Sequence, residues 1–167
     1  EQHLTRAWKF ERDDKALDRL IRAYSRLAVS SALKYKKFGL PVGDLIQEAN
    51  VGLMQAAEKF DPDRDVRFST YSAWWIKAAI QEYILRNWSM VRIGSTSAQR
   101  KLFFNLRRIK ARLEEQNTAK PRDDISQEIA TELDVPIRDV VYMDGRLEKS
   151  DQSLNAVAFD ESGIELQ

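Results

Sequence analysis

A chain of 167 residues with 43% hydrophobic and 32% charged side chains can bury a core, yet it holds no apolar run long enough to span a bilayer, so a soluble intracellular protein is expected. With no Cys and a single His at position 3, disulfides, zinc fingers and thiol catalysis are excluded, and His3 cannot supply a metal cluster or a conventional triad. The net charge of +1 conceals an uneven distribution, because Tyr83 to Leu113 carries eight Lys or Arg and no acid, whereas Gly145 to Gln167 is acid-rich.

A basic run of this kind suits a polyanion. No signal peptide opens the chain, and the ends at Glu1 and Gln167 have the character of cuts, so a piece of a longer protein is expected. Helical periodicity dominates, with Gly and Pro falling between periodic segments, which predicts an all-α protein. The first long helix is expected from about Asp13 to Phe38, with Gly39 as its C-cap. A second is expected from Asp44, as N-cap, to Phe60. The loop "DPDRDVR" leads to an aromatic helix, "RFSTYSAWWIKAAIQEYILRNW". A basic helix from about Thr96 to Gln116 follows. Two short helices in "DDISQEIATELDVPIRDVVYMDGRL" then form a pair resembling a helix-turn-helix, with Asp124 and Gln127 spaced as a capping box. The acidic tail from Ser150 reads as loop or disorder.

On a helical wheel, Ile76, Ala79, Ile80, Tyr83 and Ile84 share one side of the aromatic helix and form its core face. Tyr71, Trp74, Trp75 and Ala78 fall roughly opposite. Either a neighbouring helix covers this second stripe, or it is an exposed stacking platform. Ser69, Thr70 and Ser72 interleave with the rings, Lys77 flanks them and the basic run follows, as in proteins that stack bases and hold phosphates.

In the preceding helix, Leu45, Ile46, Ala49, Leu53, Ala56, Ala57 and Phe60 share the core face. Opposite lie Asp44, Gln47, Glu48, Val51, Gln55 and Glu58, with Asn50 and Met54 at the edge. A solvated polar face is one reading. Val51 and Met54 fit better with a docking surface for a basic partner helix. In the basic helix, Leu102, Phe103, Leu106, Ile109 and Leu113 are expected to pack while Arg100, Lys101, Arg107, Arg108 and Arg112 face outward to phosphates. "DPDRD" lacks the Gly and the distal Glu of a calcium loop, so no metal is expected there.

"DLIQEANVGLMQAAEKFDP", "RFSTYSAWWIKAAIQEYILRNW" and "VRI" together resemble region two of bacterial RNA polymerase sigma factors of the sigma-70 family. The box "QRKLFFNLR" is similar to that of the heat-shock (sigma-32 type) branch. The resemblance assigns residues 1–93 to the end of region 1.2 and to region 2, residues 94–149 to region 3, and residues 150–167 to the start of the connecting finger. Region 4 is absent.

The resemblance implies an all-α fold with a helical region-2 domain followed by a smaller three-helix region-3 domain. It implies docking on the beta-prime coiled coil of core RNA polymerase through Asp44, Gln47, Glu48, Asn50 and Met54, with the beta subunit as a further contact. DNA contact falls to Phe60, Asp61, Arg64, Phe68, Thr70, Tyr71, Trp74, Trp75, Lys77, Ala78, Gln81, Arg92, Thr96, Gln99, Arg100 and Lys101. Within this set, Tyr71, Trp74 and Trp75 meet the upstream edge of the melted minus-ten element on the non-template strand, and a flipped adenine enters a pocket involving Phe60, Asp61, Arg64 and Tyr71. Lys77, Ala78 and Gln81 approach the upstream duplex. Ala78 replaces the Gln, and Val66 the aromatic residue, of housekeeping members, and a Lys at position 77 suits guanine edges. Asp160 and Glu161 belong to the finger that approaches the polymerase cleft.

The function so implied is a non-enzymatic initiation subunit that directs core polymerase to promoters and helps open the minus-ten duplex in the bacterial cytoplasm, at the nucleoid. No cofactor and no membrane are expected, and regulatory chaperones or proteases come within its range of partners. The alternatives are a stand-alone helix-turn-helix regulator built on Asp124 to Leu147, and a base-flipping enzyme, for which no zinc signature is present.

Overall fold

Asp13 sets the start of the first long helix: its Oδ1 accepts a hydrogen bond from the Lys15 amide at 2.9 Å, relieving one of the orphan donors of a helix start. The computed structural model describes residues 2–89, 96–116 and 122–148. It divides into two compact units, Glu1–Trp88 and Ser89–Gln167. Seven α-helices and no strand occur among the described residues, so the fold is all-α as expected.

In the first unit, α1 (Gln2–Arg6) runs into a π-helical turn (Ala7–Glu11) that ends at Arg12 with φ 53°. Helix α2 (Asp14–Leu33) stops five residues short of the expected Phe38. A 3-10 turn, Lys36–Phe38, replaces the missing helix, and Gly39 (φ 80°) ends that turn instead. The reason is tertiary. Tyr35 stacks on Phe38 with ring centroids 6.0 Å apart, and its hydroxyl accepts from Gln81 Nε2 at 3.3 Å, which ties the chain to a later helix before it turns.

Helix α3 (Val42–Lys59) begins two residues before the expected cap at Asp44. Pro41 holds the N-cap position with φ −56°, a dihedral its ring already imposes. Asp44 therefore lies in the first turn, where its carboxylate suits the helix dipole and accepts from the Tyr83 hydroxyl at 3.0 Å. Helix α4 (Phe68–Asn87) packs along α3. Its buried row is Phe68, Ser72, Ile76, Ile80 and Ile84, a strict step of four. Ala79 and Tyr83, expected on the core face, are half-buried. The core of α2, α3 and α4 includes Leu20, Ala28, Ala32, Leu45, Ala49, Leu53 and Ala56, all with no exposed surface, while Ile46 stays half-buried.

The second unit holds α5 (Ser97–Gln116), α6 (Arg122–Leu133) and α7 (Ile137–Glu148). Leu102, Phe103, Leu106 and Ile109 from α5 meet Ile125, Ile129 and Ala130 from α6 and Val140, Met143 and Leu147 from α7 in one buried core. Leu113 is half-buried. Helix α6 starts two residues ahead of Asp124, so the expected capping box is not at the cap. The α6–α7 turn is built from hydrogen bonds: the Val135 amide reaches the Ala130 carbonyl at 3.0 Å and the Asp134 amide reaches Thr131 at 3.3 Å. With Asp134 at φ 52°, this is a Schellman closure with an Asp in the left-handed position usually taken by Gly.

Candidate nucleic-acid interface

Because Leu45, Ala49, Leu53 and Ala56 are buried, the opposite side of α3 must face outward. Asp44, Gln47, Val51, Met54, Gln55 and Glu58 are exposed there, and Glu48 and Asn50 are half-buried. Met54 keeps 47% of its surface and Val51 37%, so an apolar strip lies within an acidic and amide border. The helix that carries this surface packs closely on α4 with its other side.

Phe60 caps the C-terminus of α3, and its extended ψ of 137° turns the chain away. The Asp61 side chain accepts from the Asp63 amide at 3.2 Å and the Arg64 amide reaches the Asp61 carbonyl at 3.3 Å, a side-chain-closed turn of the kind Asp favours. Exposed ion pairs join Arg64 to Asp61 at 3.5 Å and Arg6 to Asp63 at 2.7 Å. Phe60 is 6% exposed. Its ring lies 5.2 Å from Phe68 and 5.4 Å from Tyr71, and Tyr71 lies 6.2 Å from Trp75. Phe68, expected among the DNA contacts, is fully buried and meets Tyr24 edge-on at 5.0 Å. It supports Phe60 from below and presents no surface outward in this structure.

The second stripe of α4 is only partly covered. Lys59 Nζ stands 4.4 Å over the Trp75 ring, the Tyr71 hydroxyl donates to the Lys59 carbonyl at 3.4 Å, and both rings are half-buried. Trp74 is 71% exposed, with Lys77 Nζ at 5.9 Å from its centroid. Thr70, Lys77 and Ala78 are exposed beside it. Gln81 is half-buried and its amide serves Tyr35.

A cleft of about 490 Å³ opens next to this corner, lined by Phe60, Pro62, Arg64, Asp65, Val66 and Arg67 on one side and by Gln2, His3 and Thr5 of α1 on the other. Its volume is that of a small-molecule site. Of the four residues expected to form a base pocket, Phe60 and Arg64 line it, whereas Asp61 and Tyr71 lie outside its lining. The α1 wall was invisible in the sequence, because more than fifty residues separate it from the loop and no motif marks it.

Thr96 caps α5: its hydroxyl accepts from the Gln99 amide at 3.2 Å. Arg100 and Lys101 are exposed and Gln99 is half-buried. Arg107, Arg108 and Arg112 are exposed as well, so the basic row faces outward as expected, although Arg107 and Arg112 also bond to later helices. Arg107 donates to the Leu147 carbonyl at 2.6 Å, Arg112 pairs with Glu132, and Lys110 bonds both oxygens of Asp144 at 2.8 and 2.7 Å and Glu148 at 3.3 Å. These cations hold α6 and α7. Partial burial works to lower the Lys110 pKa, but the bonds to Asp144 and Glu148 outweigh it and the net direction is upward. Arg92, Asp160 and Glu161 lie outside the described residues.

Residues 20–90 match the family described as Sigma-70 region 2, and over those residues the chain carries a sigma-70 region 2 domain. It is similar to RNA polymerase sigma factor RpoH of Caulobacter vibrioides, 45% identical over 92% of this chain and 52% of that protein. RNA polymerase sigma factor RpoH of Zymomonas mobilis is 44% identical over 100% of this chain and 56% of its own length. RNA polymerase sigma-C factor of Myxococcus xanthus is 43% identical over 93% and 52%. The chain spans about half the length of the curated relatives it matches. A stand-alone helix-turn-helix regulator is not favoured beside these relatives. No described helix is long and apolar enough to cross a membrane.

Proposed function

We propose that the chain is the promoter-recognising part of a heat-shock-type sigma factor, docking on core RNA polymerase through the outer face of α3 and meeting the melted minus-ten strand with the aromatic corner of α3 and α4. The observation that carries this reading is Trp74, 71% exposed beside Lys77 and one residue from the Phe60–Tyr71–Trp75 ring cluster. A large ring left open beside a ring cluster and a cation has the make-up of a stacking platform. Next to cations it offers a base the stacking partner lost on strand separation, worth about 1–3 kcal/mol per base, which offsets the few kcal/mol of unstacking.

Residues 1–93 then act as the end of region 1.2 and as region 2, residues 94–149 as region 3, and residues 150–167 as the start of the finger carrying Asp160 and Glu161. The beta-prime coiled coil is the partner for Asp44, Gln47, Glu48, Asn50 and Met54, whose acidic and apolar mixture suits a basic helix. The beta subunit, upstream duplex and non-template strand complete the partners, with regulatory chaperones or proteases acting on the protein in the bacterial cytoplasm, at the nucleoid. The protein has no chemistry of its own and needs no cofactor. The heat-shock assignment is supported by the "QRKLFFNLR" box and the similarity to the RpoH proteins.

Gel filtration with core polymerase tests the docking half. The parent chain co-elutes, and Gln47→Ala combined with Glu48→Ala weakens co-elution without loss of helicity. A parent that runs alone at micromolar concentration would refute the docking.

A further inference from the structure

Two tryptophans adjacent in sequence are held in different states. Trp74 is 71% exposed, and Lys77 Nζ lies 5.9 Å from its ring centroid, the margin of cation–π reach. Trp75 is half-buried, and Lys59 Nζ stands 4.4 Å over its ring, well inside that reach. Lys59 is the last residue of α3. Its backbone is fixed, because its carbonyl accepts from the Tyr71 hydroxyl, while its side chain is exposed. One ring is open, and the other carries an ammonium on the face a base would take.

We propose that Lys59 is a positioning residue for strand recognition: it caps Trp75 in the unbound protein and exchanges the ring for a strand phosphate when a base stacks there. Trp74 is then the first stacking surface and Trp75 the second. The exchange is physically balanced. A base displaces the ammonium from the ring, and the ammonium, tethered by its stem to a fixed backbone, remains beside the phosphate that the incoming nucleotide carries. One contact is lost and a stronger, salt-sensitive one replaces it.

This inference rests on the proposed strand recognition and deepens it. Its test is the salt dependence of binding of a labelled single-stranded minus-ten oligonucleotide, read by fluorescence anisotropy, to preformed complexes of the chain with core polymerase. Parent, Lys59→Met and Lys59→Arg are compared, with helicity verified by circular dichroism. In Lys59→Met the slope of log K against log salt falls by about 0.7, one single-strand phosphate, so the parent's advantage shrinks about fivefold for each tenfold rise in salt. At high salt the uncapped variant binds as tightly as the parent or more so. Lys59→Arg keeps the parental slope. Isotherms of Lys59→Met that run parallel to the parent's would overturn the exchange while leaving strand recognition intact. A parent complex that fails to bind the oligonucleotide would overturn both.

Discussion

Gly52 of α3 lies directly under Trp75 of α4: a Cβ placed on Gly52 would sit 2.7 Å from the Trp75 carbonyl oxygen, 2.8 Å from Ile76 Cα and 3.0 Å from Ala79 Cβ. The proposed docking face and the aromatic face are therefore carried by two helices in close contact. Alanine at position 52 gains about 1 kcal/mol of helix propensity, but a methyl group forced against backbone must push the helices apart. We expect Gly52→Ala to lose about 1–3 kcal/mol net, seen as a lower urea midpoint for the full chain. A raised midpoint would mean that α3 and α4 separate freely.

Trp74 and Trp75 should separate binding from stability. Trp74→Ala removes a ring that is 71% exposed, so its melting temperature should stay near the parental value while binding of a premelted strand weakens by about 1–3 kcal/mol. Trp75→Ala also removes ring contacts to Tyr71 and Lys59 and should lower both. Anisotropy and thermal denaturation on the same samples distinguish the two. Equal loss of stability in the two variants would contradict the exposed platform.

Lys110 makes the stability of the second unit depend on alkaline pH. Its pKa is raised above the ordinary 10.5: burial opposes this, and the hydrogen bonds to Asp144 and Glu148 prevail. A cation with a higher pKa folded than unfolded stabilises fully below the unfolded value and loses that stabilisation as pH climbs through the folded value. Lys110→Met should cost about 1–2 kcal/mol at neutral pH and flatten the decline above pH 10.5, the ordinary lysine value. Urea titrations at pH 7 and above pH 10.5 give the comparison, and an unchanged alkaline slope would rule the coupling out.

Asp134 occupies the left-handed position of the α6–α7 turn at φ 52°. Glycine reaches that conformation without the Cβ penalty. Asp134→Gly should raise stability by up to about 1 kcal/mol, measurable as a higher denaturation midpoint. A loss would show that the carboxylate has a role the turn geometry does not require.

The faces of α3 and α4 were legible because buried residues recur at helical spacing: Leu45, Ala49 and Leu53 read as core and are core, and Ile76, Ile80 and Ile84 likewise. The ends were less legible. Asp44 has the chemistry of a cap, yet Pro41 starts the helix and Asp44 turns to Tyr83. The basic run from Arg100 to Arg112 read as a phosphate surface because like charges cluster. Sequence spacing could not reveal that Leu147, Glu132, Asp144 and Glu148 return from later helices to meet three of those cations.

Local order alone thus determined the all-α class, the apolar faces and the concentration of rings in α4, since each follows from the 100° step between neighbours on one helix. Tertiary structure decided what no single helix holds. It brought α1 against the Phe60–Arg67 loop to open the cleft, buried Phe68 beneath Phe60 and left Trp74 open while Lys59 covers Trp75. Exposure is a property of neighbours in space, and those neighbours come from segments whose pairing is set by packing, which the order of residues along one helix does not encode.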